Sequence, residues 1–345
     1  MPISIVVGGQ FGSEGKGKVA LEIVRRSRSP VTVIRVGGPN SGHTAYDYSG
    51  KKWALRQMPA ACVDRNVDVV FPAGSYIDLE VLFREIEDLD YPRSRIRISE
   101  NANVISVEHK AWEKASGLVS AIGSTGSGVG AVVMALAARE AKNFPLRALH
   151  ARDIAALEPF LCDSTVVLND KLRKGERVVI EGSQGFGLSL LDGGYWPKAT
   201  ARTTTAAGAL AEAGLSPLFV DDVTLVLRSF PIRVAGNSGP LPGETNWENI
   251  ARQAGRIDDI REYTTVTNKL RRVGEFQYDL VRRSIAANSP NRIVLNHLDY
   301  IGSNNHVPEQ SANILSFISK IEAKIEHHID WLGMSPIDCY EREDA

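Results

Sequence analysis

Residues 3–7, Ile-Ser-Ile-Val-Val, break into Gly8-Gly-Gln-Phe-Gly-Ser-Glu-Gly-Lys-Gly-Lys18, and residues 18–26 then carry Val19, Leu21, Ile23 and Val24 at helical spacing. An apolar run that short, ended by glycine, reads as a strand buried on both faces, which requires a sheet covered by helices. A second apolar run at residues 31–36 again opens into glycine. Strand, glycine loop, helix and strand are the opening of a nucleotide-binding α/β sheet. In the first loop, glycines let the backbone approach a polyphosphate, N–H groups at the helix start face its oxygens, and lysine adds point charge. It is not a regular Walker loop, because Gln10 and Gly17 stand where that pattern requires glycine and Ser/Thr. A dinucleotide GxGxxG also fails to fit. A tight glycine turn without a ligand is the competing interpretation.

Farther along, residues 78–89 and 129–141 read as helices, and residues 177–180, 223–230 and 292–295 as strands. Ile314, Phe317, Ile318, Ile321, Ile325 and Ile329 mark one long amphipathic helix. No repeat, low-complexity tract or linker divides the chain. The expected fold is therefore α/β, a single large domain over residues 1–345 built on a mostly parallel central sheet with inserted loops and helices. With 40 Lys+Arg against 41 Asp+Glu, the net charge of −1 excludes a nucleic-acid coat but not a local basic site for one phosphorylated ligand. Cys62, Cys162 and Cys339 form no disulfide framework, the histidines give no metal pattern, and no run is long enough for a membrane span. A cytoplasmic protein is expected, without nucleic-acid or membrane partners.

Four more loops carry chemistry. Gly37-Gly-Pro-Asn-Ser-Gly-His-Thr44 follows a strand, and His43 there is either a general acid or phosphate donor, or a loop histidine bonded to backbone. Ile122-Gly-Ser-Thr-Gly-Ser-Gly-Val-Gly130 offers hydroxyls and N–H groups just before a helix, as a monophosphate cradle or a flexible loop. Glu181-Gly-Ser-Gln-Gly185 ends a buried strand at its carboxyl end, where open α/β sheets bind ligands. Residues 264–274 pack cations and hydroxyls together, suited to a dicarboxylate or phosphate, although loop basicity is commonly just solvation.

The order and content of these segments resemble the adenylosuccinate synthetase family, from about residue 3 to Pro336-Ile-Asp. The resemblance implies a large parallel-centred α/β fold, a homodimer, and a ligase that joins L-aspartate to the 6-position of a purine monophosphate. The 6-oxygen is first phosphorylated by a nucleoside triphosphate with Mg²⁺, and phosphate is then displaced by the amine. By resemblance, Ser13, His43 and Gln184 are catalytic. Ser13, Glu14, Gly15, Lys16, Gly17, Lys18, Gly42, His43, Thr44, Arg271, His297, Leu298 and Asp299 hold the donor triphosphate. The monophosphate falls to Ser13, Asn40, Ser124, Thr125, Gly126, Gln184, Thr200, Val234 and Lys269, with Arg139 contributed by the neighbouring subunit. Thr265, Val266, Thr267, Asn268, Lys269, Leu270 and Arg271 take aspartate. Ser13 and the Gly42 carbonyl are the Mg²⁺ ligands.

The sequence departs from that pattern at three points. Ser13 replaces the family's catalytic aspartate. A serine is a poor base, but it leaves room for a purine 2-amino group and can accept its hydrogen bond. This resembles the bacteriophage branch of the family, which condenses dGMP with aspartate to N6-succino-2-amino-2′-deoxyadenylate, on the route to 2-aminoadenine DNA. Asn296-His-Leu-Asp299 lacks the family's base-stacking lysine, and a later guanine-contacting element is absent. ATP or dATP is therefore the expected donor, and Asp299 keeps GTP open. Lys269 stands for the usual arginine, keeping charge without the bidentate fork. The alternatives are an ordinary synthetase using IMP and GTP, or a non-catalytic nucleotide-binding protein.

Overall fold

The computed structural model describes residues 2–64, 66–255, 260–264, 268–302 and 312–342. Ten strands form one sheet: β1 (Ile3–Gly8), β2 (Val31–Arg35), β3 (Asp68–Phe71), β4 (Ile96–Ser99), β5 (Leu161–Cys162), β6 (Arg177–Glu181), β7 (Val220–Arg228), β8 (Arg292–Asn296), β9 (Trp331–Leu332) and β10 (Tyr340–Glu341). Their order is β10-β9-β8-β7-β1-β6-β2-β3-β4-β5. Neighbours run parallel throughout except β9 and β10, which are antiparallel. The mostly parallel α/β sheet expected from the sequence is thus the fold.

Both faces of the sheet are covered, which is why its strands read as unbroken apolar runs. Val33, Val69, Val179, Val226 and Val294 pack on the face shared with helix α1 (Lys16–Arg26). Ile34, Val70, Val178, Ile180, Leu225, Leu227, Ile293 and Leu295 pack on the other, against the helices Ala206–Ala213, Tyr278–Asn288 and Ala312–Ile325. Each such side chain contributes about 1.5–3 kcal/mol by burial.

Three details differ from the sequence-based expectation. The helix Val129–Ala138 ends before residue 141, because Arg139 takes φ 54 and cannot continue it. The last helix stops at Ile325, where Glu326 turns to φ 59, so Ile329 is buried beyond the helix instead of on it. Strands β3 and β4 have no clear signature in the sequence, since four residues each, DVVF and IRIS, carry too little periodicity.

Chain order creates the site. β6 is inserted between β1 and β2, and β7 lies on the far side of β1, so connections leave in opposite directions around β1. Open α/β sheets bind ligands outside the carboxyl ends of their strands at such a switch. The last residues of the five central strands are Gly8, Arg35, Glu181, Arg228 and Asn296. Arg35, Glu181, Arg228 and Asn296 are each at most 2% exposed. A row of buried polar side chains therefore edges the sheet where the chemistry-bearing loops begin.

Candidate active site

In the loop after β1, Gly12, Ser13 and Gly15 have φ of 93°, 57° and 93°. This left-handed run makes the loop a backbone concavity of the kind that receives anions. It leads into α1, whose amino terminus has no side-chain cap and no acidic residue in its first turn. Glu14 is fully buried and accepts from the Gly12 N–H at 2.7 Å, the Gln10 N–H at 3.2 Å and Lys16 Nζ at 2.7 Å. The Lys16 charge is thereby fixed in the loop. Lys18 is held elsewhere, donating to the carbonyls of Ser335 at 2.8 Å and Asp338 at 3.0 Å. Gly17 has a packing reason, since a Cβ there would approach Ala60 Cβ to 2.6 Å and His43 Cβ to 3.1 Å. Its absent side chain lets α1 lie against the strand His43–Tyr46.

His43 is 8% exposed, and its Nδ1 bonds Glu181 Oε1. The other Glu181 oxygen accepts the Ala60 N–H at 2.8 Å. Residues 35 and 181 are aligned in the β2–β6 register. Arg35 Nη1 donates to the Leu55 carbonyl at 3.0 Å and Nη2 to the Ser41 carbonyl at 2.5 Å, pinning the turn that presents Gly42 and His43. Burial, reinforced by Arg35, lowers the His43 pKa to about 4 against the pull of Glu181. Burial works to raise the Glu181 carboxyl, but His43, Arg35 and the Ala60 N–H together hold it below the usual range. At neutral pH the imidazole is therefore neutral, donating from Nδ1 to an ionised Glu181 and leaving the Nε2 lone pair available.

The other sequence-predicted residues fall into two groups. Gln184 lies beside Gly12, takes φ 64 and carries a buried Oε1 with no partner among the described residues. Ser124 Oγ donates to the Glu113 carboxylate and accepts the Gly126 N–H at 3.1 Å, while the Thr125 and Ser127 hydroxyls pair at 2.7 Å. A methyl at Gly123 would lie 3.5 Å from Val234 Cγ2, so this loop and the residue-234 segment adjoin. Asn40 and Gly42 are half-buried in the loop after β2, and Thr200 is half-buried, its N–H on the Leu188 carbonyl at 2.8 Å. Leu298 is buried with its N–H on the Gly333 carbonyl at 3.1 Å, and Asp299 beside it is half-buried.

The second group faces outward. Thr44, Asn268, Lys269 and Leu270 are exposed, and the Lys269 N–H bonds Thr264 Oγ1 at 3.0 Å. Arg139 is exposed at the far end of Val129–Ala138, about 15 Å along the helix from the hydroxyl loop. Thr265, Val266 and Thr267 lie outside the described residues.

With the geometry in place, comparison with known proteins decides the family. The profile of adenylosuccinate synthetase matches residues 5–145 and 146–308. The chain belongs to the adenylosuccinate synthetase family. Adenylosuccinate synthetase of Thermococcus sibiricus is 37% identical over 336 residues, covering 94% of this chain and 93% of its own. That of Methanococcus aeolicus is 37% identical over 344 residues, 97% of each chain. The fully ligated adenylosuccinate synthetase from Plasmodium falciparum shares the fold, with a TM-score of 0.85 at 20% identity over 99% of this chain and 100% of that one. A second structure, the succinoaminodeoxyadenylate synthetase of cyanophage S-2L bound to dGMP and dATP as an energy donor, has a TM-score of 0.80 at 28% identity. It covers 99% of this chain and 95% of its own. The protein is a carbon–nitrogen ligase of the adenylosuccinate synthetase type.

Around these loops the structure places charged side chains that are not among the site residues expected from the sequence: the buried Arg35, Glu113, Glu181 and Arg228, and the half-buried Glu262. For Arg35 and Arg228 a signal existed, namely one charge at the carboxyl end of an apolar strand. For a metal, no group of three His, Cys, Asp or Glu among the described residues could form a site. The neutral oxygens of Ser13 and Gly42 therefore suit a Mg²⁺ carried mainly on a triphosphate, not one caged by protein. No helix among the described residues is long and apolar enough to cross a membrane.

His297, half-buried after β8, is shifted in the same direction as His43. Burial, then Arg228, lowers its pKa from 6.5 to about 3. Both histidines are neutral in folded and unfolded chains above pH 6.5, so they add no pH dependence there. Between pH 6.5 and 4 the unfolded chain binds protons that the folded one refuses, and stability falls by about 1.4 kcal/mol per pH unit for each. Urea titrations at pH 6.5, 5.5 and 4.5 should show a shallower loss in His297→Asn than in the parent. An identical slope would remove His297 from the acid response.

Proposed function

We propose that this ligase condenses dGMP with L-aspartate, using ATP or dATP and Mg²⁺, to give N6-succino-2-amino-2′-deoxyadenylate. The observation that carries the reading is Ser13. It stands at the loop position where the family has aspartate, in a left-handed backbone conformation, with no described residue bonding its hydroxyl. Guanine differs from hypoxanthine by a 2-amino group next to N1, and a free hydroxyl there accepts from that group where a bulkier carboxylate would crowd it. The dGMP-bound cyanophage relative supports the same substrate.

In this reading the γ-phosphoryl group moves from the donor to O6 of dGMP, releasing a nucleoside diphosphate. The aspartate amine then forms the C6–N bond as inorganic phosphate leaves. His43, oriented by Glu181, faces the 6-oxygen. The arriving polyphosphate raises the proton affinity of His43, so that an imidazolium offsets the charge developing there. Ser13 and the Gly42 carbonyl would hold Mg²⁺ together with the donor phosphates, and the ion would supply positive charge beside the transferred group. Thr125, Gln184 and Thr200 contact the monophosphate, residues 265–271 receive aspartate, and Arg139 reaches the 5′-phosphate bound by a second copy in a cytoplasmic homodimer.

IMP with GTP is the second reading, favoured by near-full-length matches to archaeal adenylosuccinate synthetases. Mass analysis of the product from aspartate with dGMP or IMP separates the two. Repeating it with ATP, dATP and GTP at equal concentration ranks the donors. Formation of succino-2-amino-2′-deoxyadenylate with ATP or dATP is expected. Adenylosuccinate from IMP, with dGMP unused, would overturn the proposal.

A further inference from the structure

Behind the site lies an ion cluster whose central pair, Arg228 and Glu262, has none of these roles. Arg228 ends β7 with 0% exposure. Its Nη1 donates to the Ser13 carbonyl at 3.0 Å and to Glu262 Oε2 at 3.2 Å, while Nη2 donates to Glu262 Oε1. Glu262 also accepts from Arg271 Nη1 at 2.9 Å and from the Tyr300 hydroxyl at 2.9 Å. Its carbonyl takes the Arg271 N–H at 2.8 Å. The peptide of Arg228 is bracketed by the Gln10 side chain, at 2.9 Å from its N–H and 3.1 Å from its carbonyl. Thus one guanidinium and one carboxylate join the loop containing Ser13, the cationic loop ending in Arg271, and the turn after β8 that contains Tyr300.

A buried ion pair is weak ground for stability, because apolar replacements of such clusters are often neutral or better. What this one supplies is geometry. The planar guanidinium serves a carbonyl and a carboxylate at once, which a lysine ammonium cannot reproduce at the same spacing. Ser13 has a backbone conformation that most L residues avoid, and the bond to Arg228 fixes the direction of its carbonyl, and so the peptide plane beside the Cα that carries the hydroxyl. We propose that Arg228 and Glu262 are a positioning pair, holding Ser13 toward the purine and Arg271 toward aspartate, so that occupation of one subsite is felt at the other. This rests on assigning the purine to Ser13 and aspartate to the Arg271 loop.

Steady-state kinetics on the full chain test it, with whichever monophosphate turns over best. Arg228→Lys keeps a charge opposite Glu262 but loses the fork to Ser13. Its KM for the monophosphate should rise about tenfold, the effect of one charge-assisted hydrogen bond, with the KM for aspartate changed less. Glu262→Gln should show the reverse, about tenfold on aspartate and little on the monophosphate, and the double variant should be non-additive. Arg228→Met should be worse than Arg228→Lys. Tyr300→Phe, the mildest change, should raise the aspartate KM about threefold and keeps the test open if a charge variant does not fold. All KM values within about twofold of the parent in folded Arg228→Lys, Glu262→Gln and Tyr300→Phe would overturn the pair's role, since an effect on folding alone does not divide between substrates. The same division of KM effects seen on IMP, with dGMP unused, would uphold the pair and refute the dGMP assignment.

Discussion

Replacing His43 by asparagine should cut turnover about 10²–10³-fold while leaving the protein folded. The asparagine amide can still donate toward Glu181, so the buried carboxylate keeps a partner, but nothing then occupies the Nε2 position facing the 6-oxygen. Glu181→Gln should fall between parent and His43→Asn, because the imidazole would lose the charge that favours its protonation. Single-turnover phosphate release, alongside melting curves for each variant, checks both. Turnover of His43→Asn within threefold of the parent would remove the histidine from the chemistry.

Ser13→Asp should lower kcat/KM for dGMP by about 5- to 150-fold and shift preference toward IMP, because the longer carboxylate crowds the 2-amino group, and a buried donor pushed out of hydrogen-bond geometry costs about 1–3 kcal/mol. The backbone makes this a clean experiment. Residue 13 sits at φ 57, a region that aspartate enters more readily than most L residues, and Arg228 grips the carbonyl, not the side chain. An unchanged ratio of the two substrates would exclude a selecting role for this position.

The glycine loops and the strands that feed them were legible because both are local patterns, one of backbone permissiveness and one of apolar runs. The partners of those loops were not. His43 and Glu181 are 138 residues apart, and Lys18 meets Ser335 across 317. Such pairs exist only once the strand order is set, and nothing in either local segment announces the other. Lys18 shows the limit well. A lysine at the end of a phosphate-type loop, in the first turn of the following helix, reads as a ligand to phosphate, yet its ammonium is held by the carbonyls of residues 335 and 338.

The buried polar row at the carboxyl edge of the sheet bears on how such an enzyme can change over generations. Arg35 holds the carbonyls of Leu55, Met58 and Ser41, Glu181 holds the Ala60 N–H, Arg228 holds the Ser13 carbonyl, and Asn296 holds the Glu14 carbonyl at 2.7 Å. These six bonds are to main-chain atoms, which every residue type supplies alike, although Glu181 and Arg228 also hold the side chains of His43 and Glu262. Mutation can therefore exchange side chains on the loops, an aspartate for a serine among them, without releasing the loops themselves. Inheritance of loop geometry is separated from inheritance of substrate choice, and a single frame can be handed from one purine to another in few steps.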